Sequence, residues 1–346
     1  MQIMKSPEIQ WIYEFDREIQ NSPVISENSI YIASWDELFN IDINSVNTIW
    51  KYKVKGLIKS CPLVNNSIVY NSSTGPTISA IHAESMEASW VFAAETRESV
   101  YTTPLLVNNM LIIGDDDGYL YSFDAVNGKE LNKFKVYGKE VEIETYRGTV
   151  IKETIIKRSI ISSPCMYDSL IFFGSDDRNL YALDIETFEP KWVFTSRDRI
   201  TSSPCAADGI VYFGSLDGHL YAVDIETGKE LWNIDTDDWV HSSPCVVNGI
   251  VYFGSLNHCM YAVDAITGKE IWKFKTGGAI ASSPVIDNGL VFFGSYDKKL
   301  YAVDCITGEE SFSFETKGEI NCTPVVQDGV VYFGSWDKKF YALKFQ

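Results

Sequence analysis

The chain's metal-binding or nucleophilic chemistry would rest on seven cysteines, four histidines and a column of aspartates. Cys165, Cys205 and Cys245 recur forty residues apart, a regularity that invites a thiolate metal site. Other segments with the same pattern carry Val24, Leu63, Leu105, Val285 and Val325 there, so the column reads as a small buried hydrophobe that cysteine can replace. Cys61 and Cys322 lie near the same strand but out of register, and no Cys-x-x-Cys or adjacent pair occurs. An odd cysteine count also argues against a complete disulfide framework. His82, His219, His241 and His258 lack metal-ligand spacing, and no nucleophile elbow, phosphate loop or zinc motif is present. Asp36, Asp177, Asp217, Asp297 and Asp337, with Asn257, sit in Ser-x-Asp turns, and Asp117 holds the same position after Asp115; the side chain is expected to accept bonds from its own turn. Neither catalysis nor a metal site is expected from these residues.

A binding surface is better supported. Ile19, Ile58, Val100, Ile160, Ile200, Val240, Ile280 and Ile320 form a β-branched column two residues before each Ser-Pro triplet. Strand alternation turns the residues on either side of it away from the core. The following column reads Gln20, Lys59, Tyr101, Ile161, Thr201, His241, Ala281 and Asn321. The preceding one reads Glu18, Leu57, Ser99, Ser159, Arg199, Trp239, Ala279 and Glu319. A constant layer flanked by variable ones is how a scaffold carries a specific surface. The candidate ligand positions are Lys59, Tyr101, Arg199, Trp239, His241, Glu319 and Asn321. A second candidate is a protein interface at Trp35, Tyr296 and Trp336, which share one Ser-x-Asp turn position, with Leu216 and Leu256 continuing the arc.

A repeat near forty residues positions these columns. Compare SSPCAADGIVYFGSLDGHLYAVDIETGKELW from Ser202, SSPCVVNGIVYFGSLNHCMYAVDAITGKEIW from Ser242 and SSPVIDNGLVFFGSYDKKLYAVDCITGEESF from Ser282. The residue-Pro element occurs at eight places, from Ser22-Pro23 to Thr323-Pro324. Each unit reads as four strands, near 201–206, 210–215, 219–224 and 230–234 in one copy, joined by Gly-rich turns. The last unit lacks its fourth strand, and residues 9–20 supply one, with Trp11 in the place of Trp232 and Trp272. Ends that complete one unit between them predict a closed ring, an all-β, eight-bladed β-propeller forming one domain over residues 1–346. Blade 8 is then built from about 322–346 plus 1–20.

The pattern A-V-D-x-x-T-G-K-E-x-W at 222–232 and its copy at 262–272 resemble the repeat of the PQQ-like propellers, the family of quinoprotein dehydrogenases and BamB-like assembly lipoproteins. The likeness covers nearly the whole chain and is strongest in blades 4 to 8. It implies that Trp11, Trp50, Trp90, Trp192, Trp232 and Trp272 dock onto the neighbouring blade, and that junctions with Asn132 or Phe312 pack differently. Similar dehydrogenases carry an adjacent Cys-Cys pair over the quinone, a calcium set and a catalytic Asp on a longer exported chain. The cysteine pair is missing here, so no cofactor is expected and PQQ is the alternative.

The net charge of −18 disfavours nucleic acid and anionic membrane surfaces and admits basic protein partners. No apolar run is long enough to span a bilayer, and the first fifteen residues lack a signal-peptide core, which predicts a cytoplasmic protein; a monomer is expected. Residues 137–158 exceed the period and read as a β-hairpin projecting from the top face between blades 3 and 4, turning at Arg147-Gly148, with Tyr146 and Arg147 as further candidate protein-interface residues. The expected function is a non-catalytic scaffold that binds a protein or peptide on one face. The alternative is a small molecule or quinone held in the channel mouth.

Overall fold

The computed structural model describes residues 7–75, 77–93, 99–137, 143–144, 150–151 and 158–345. Eight four-stranded antiparallel sheets form the blades, and a two-stranded hairpin lies between the third and the fourth. Blade 5 is typical, with strands Cys205–Ala207, Ile210–Gly214, His219–Asp224 and Glu230–Asp235 from the axis outward. Its first turn places Asp208 and Gly209 at φ 50° and 78°, the two left-handed residues of a tight hairpin. The inner strand is shorter than the 201–206 expected from sequence. Pro204 cannot donate to the ladder, and the Ser202 hydroxyl takes over by accepting the Gly214 amide at 3.0 Å.

Residues just before the prolines tie neighbouring blades together. The amides of Ser163, Ser203 and Ser243 each donate to the hydroxyl of the equivalent serine one blade on, at 2.9 to 3.0 Å. The Thr323 amide donates to Ser22 Oγ at 2.8 Å, so this belt joins the last unit to the first. The ring also closes through its ends. Glu8–Glu14 pairs antiparallel with Lys339–Lys344 as the outermost strand of the C-terminal sheet.

The core lies between blades. Tyr212, Leu220 and Ala222 of blade 5 pack on Val240, Val251, Phe253 and Tyr261 of blade 6, each large side chain contributing about 1.5–3 kcal/mol by burial. The tryptophans dock forward as expected. Trp192, Trp232 and Trp272 donate Nε1–H to the carbonyls of Ile225, Ala265 and Cys305 in the next blade. Each ring lies against the next blade's turn glycine: a Cβ on Gly228, Gly268 or Gly308 would sit 2.6–2.7 Å from Cδ2 of Trp192, Trp232 or Trp272. The two atypical junctions are packed by other means. Where blade 3 has Asn132, the next turn carries Phe188 in place of glycine, 5% exposed and within the core between blades 3 and 4. Phe312 packs on Phe292 and Phe345, so the C-terminal residues fill the second junction.

Every outermost strand carries a β-bulge at the same place, for instance between the partners of Ala222 and Val223. Such bulges interrupt the edge and discourage sheet-to-sheet pairing.

Candidate functional site

Backbone hydrogen bonds fix the two faces of the ring. The amides of Leu216, Leu256, Tyr296 and Trp336 donate to the carbonyls of Arg199, Trp239, Ala279 and Glu319. The Ser-x-Asp turns therefore adjoin the loops that precede the inner strands, and together they make the top face. On the bottom, Ile225, Ala265 and Cys305 donate to the carbonyls of Gly209, Gly249 and Gly289, joining the two other sets of turns. Between the variable columns, the β-branched layer from Ile19 to Ile320 is 0–2% exposed.

The aspartate column holds its own turns. Asp217 Oδ1 accepts the His219 amide, and Oδ2 accepts the Tyr221 hydroxyl at 2.8 Å and the Arg197 amide at 2.9 Å. Asp297 and Asp337 repeat the pattern with Tyr301 and Tyr341 at 2.7 and 2.6 Å. Blade 3 departs from it: Asp115, where other blades have serine, accepts the Asp117 and Tyr119 amides and the Tyr121 hydroxyl. Blade 1 departs as well, with Asp36 paired to Lys53 at 3.1 Å. Burial pushes the Cys245 thiol up to about 11 and the Cys322 thiol to about 12, away from the thiolate a nucleophile or metal ligand needs. Among the described residues, no group of three or more His, Cys, Asp and Glu side chains is arranged to hold a metal ion.

The top face gathers aromatic side chains over blades 6, 7, 8 and 1. Trp336 donates Nε1–H to Asn321 Oδ1 at 3.0 Å and lies 6.3 Å from the Tyr296 ring. Burial, with the Glu319 carboxylate nearby, raises the Tyr296 phenol. Four of the expected positions, Tyr296, Trp336, Glu319 and Asn321, thus form one cluster. On blade 1, Trp35 donates to Glu18 Oε2 at 3.3 Å, and Arg17 stacks 4.5 Å above its ring. Lys59 Nζ donates to Gln20 Oε1 at 3.1 Å. Glu18, Gln20, Trp35, Leu57 and Lys59 help line a cavity of about 120 Å³. Trp35 has φ 57°, a conformation bulky residues rarely hold, because Trp35-Asp36 is a two-residue hairpin turn. Trp35 and Trp239 are 38% and 46% exposed.

Other candidates stay apart. Arg199 pairs with the adjacent Asp198. Among the described residues, no hydrogen bond or ring contact joins Arg199, Trp239 and His241, and Tyr101 stands half-buried one blade beyond Lys59. The excess segment contains a hairpin, with Ile143 opposite Ile151 and Glu144 opposite Val150. It leaves the ring on the top side, after the Val136 amide bonds the Gly118 carbonyl. Tyr146 and Arg147 lie outside the described residues. Sequence reasoning missed Arg17, which belongs to no column, and undervalued Glu18 and Gln20, which sit in the columns but were not singled out.

The sequence matches the family described as "Outer membrane protein assembly factor BamB" over residues 5–156, 136–233, 159–254, 182–275 and 257–346. Two curated proteins of that name are similar. The one from Moranella endobia (strain PCIT) is 24% identical over 120 residues, covering 34% of this chain and 30% of that protein. The one from Francisella tularensis subsp. tularensis is 20% identical over 185 residues, covering 48% of this chain and 40% of that protein. The matched stretches therefore span less than half the length of those relatives. Among solved structures, BamB from Moraxella catarrhalis superposes with a TM-score of 0.80 at 17% identity, covering 98% of this chain and 100% of that one. A quinohemoprotein alcohol dehydrogenase from Comamonas testosteroni gives 0.79 at 14% identity, covering 98% and 76%. At such identities the likeness is one of fold.

Proposed function

We propose, from the premise that this chain belongs to the BamB family of PQQ-type repeat propellers, that it is a non-catalytic scaffold whose top face docks a protein or peptide. The observation that carries the reading is the aromatic arc of Trp239, Tyr296, Trp336 and Trp35 over four consecutive blades. Large, partly exposed aromatics are the side chains that most often dominate protein interfaces, and two of these four, Trp35 and Trp336, are held by side-chain hydrogen bonds. The relatives' name, an assembly factor, supports a protein as partner. The net charge of −18 favours a basic partner surface and predicts binding that weakens with salt.

A quinone does not fit the residues present. The adjacent cysteine pair that covers it in similar dehydrogenases has no counterpart, because the cysteines stand at 61, 165, 205, 245, 259, 305 and 322.

Trp35→Ala with Trp336→Ala should abolish partner binding while the thermal transition persists, since each truncation at an interface anchor costs about 2 kcal/mol or more. Deleting residues 138–157 should weaken the same complex. A complex that survives all of these changes would refute the scaffold reading. A small added mass that persists through purification would move the site to the cavity beside Trp35 and Lys59.

A further inference from the structure

We infer that the bottom outer rim of blades 5 to 7 is a second docking surface, for a basic amphipathic helix of a protein partner. It goes beyond the top-face reading and rests on different residues.

The argument starts from one repeat position. Lys191, just before Trp192, reaches the turn of the next blade and pairs with Glu226 at 2.8 Å. The same two positions at the next junction are Leu231 and Ile266, and at the one after, Ile271 and Ile306. The geometry carries over, because Trp232 and Trp272 bond the carbonyls of Ala265 and Cys305, one residue before Ile266 and Ile306. Two consecutive junctions therefore exchange an ion pair for an aliphatic pair. These side chains are not buried: Leu231, Ile266, Ile271 and Ile306 are 49%, 76%, 45% and 71% exposed. Nor are they loose. The Ile266 and Ile306 amides donate to Asp264 and Asp304, fixing both turn tips. Exposed aliphatic side chains at two neighbouring junctions of a charged protein, two of them carried on hydrogen-bonded turns, mark an interaction surface.

The surroundings choose the occupant. The exposed Glu230, Glu270, Glu309 and Glu310 outnumber Lys229 and Lys269 around the patch, so a basic flank complements it. An added extended strand is disfavoured, because Leu231 and Ile271 are the bulge residues that interrupt their edge strands. A helix lays an apolar stripe on such a surface without edge pairing.

The probe is a fluorescein-labelled amphipathic Leu/Lys helix, titrated by fluorescence anisotropy and mapped by hydrogen exchange. The variant Leu231→Lys, Ile266→Glu, Ile271→Lys, Ile306→Glu writes the Lys191–Glu226 pair into both junctions, a combination the fold already carries. The expected result is binding to the wild type, weakened about tenfold or more in the variant, with protection at residues 264–268 and 304–308. The Trp35→Ala, Trp336→Ala protein should bind the helix like the wild type, which separates this surface from the top face. Equal binding by the fourfold variant overturns the proposal. A peptide-free dimer in sedimentation that the variant abolishes makes the occupant a second copy and overturns it too. So does variant-sensitive binding to phosphatidylcholine vesicles.

Discussion

Gly268→Ala tests how blades are locked together, and Gly249→Ala is its internal control. Both glycines have a left-handed backbone, at φ 68° and 75°. A Cβ on Gly249 would have nothing within 4 Å, whereas one on Gly268 would meet Trp232 Cδ2 at 2.7 Å and Cε3 at 2.9 Å. The Trp232 ring cannot simply swing aside, because its Nε1–H is held by the Ala265 carbonyl at 3.1 Å. The left-handed backbone costs alanine about 1–2 kcal/mol, offset by about 0.4–1 kcal/mol from a stiffer unfolded chain. Gly249→Ala should therefore cost about 0–1.6 kcal/mol. Gly268→Ala adds the overpacking, about 1–3 kcal/mol, for a total of about 1–4.6 kcal/mol. Urea denaturation of the two variants beside the wild type reads the difference. If Gly268→Ala costs no more than Gly249→Ala, the tryptophan does not lock the junction in the way described.

Other perturbations probe the same architecture. Asn132→Trp alone should destabilise by meeting Phe188, and Phe188→Gly alone should cost about 2–4 kcal/mol by emptying that space. The double variant rebuilds the usual Trp-Gly pair and should be more stable than the sum of the two predicts, as a double-mutant cycle in denaturant would read. Removing residues 7–14 takes away the strand that pairs with Lys339–Lys344, and should lower the melting temperature sharply and raise proteolysis of the last blade. The Thr227 and Thr267 hydroxyls and the Thr307 amide hold the Asp224, Asp264 and Asp304 carboxyls below the usual range. Folded values below unfolded ones mean stability that is complete above the unfolded value of about 3.9 and lost as pH falls through the folded ones. The wild type should then lose more of its melting temperature below about pH 4 than the triple Asp→Asn variant; equal losses would contradict the assignment.

The ring was legible because its determinants repeat. Eight residue-Pro elements, the Trp and Gly positions and complementary ends each state the fold independently, and the structure places them as read. The turn aspartates were legible for the same reason, since Ser-x-Asp is a local motif whose amide and tyrosine partners lie two and four residues on; the amide from the preceding strand's end, Arg197 on Asp217, was not. The inner strand was overextended because a serine hydroxyl, not the backbone, makes its first bond. The functional face was harder to read. Strand alternation identified the columns that reach the top, but not which members meet across blades. Asn321 and Trp336 meet within one blade, whereas Arg199 turns to its neighbour Asp198. Arg17 was invisible because its role depends on the shortened Trp35-Asp36 turn, a feature of one blade alone. Phe188 went unread, because its role depends on the tryptophan missing at position 132 across the junction.

The central claim, a protein partner held on the top face, is tested most directly by native mass spectrometry of the protein gently purified from its own host. Wild type and the Trp35→Ala, Trp336→Ala variant are prepared side by side. The scaffold account predicts a protein-sized added mass on the wild type and the bare chain for the variant. The same added mass on both would contradict it.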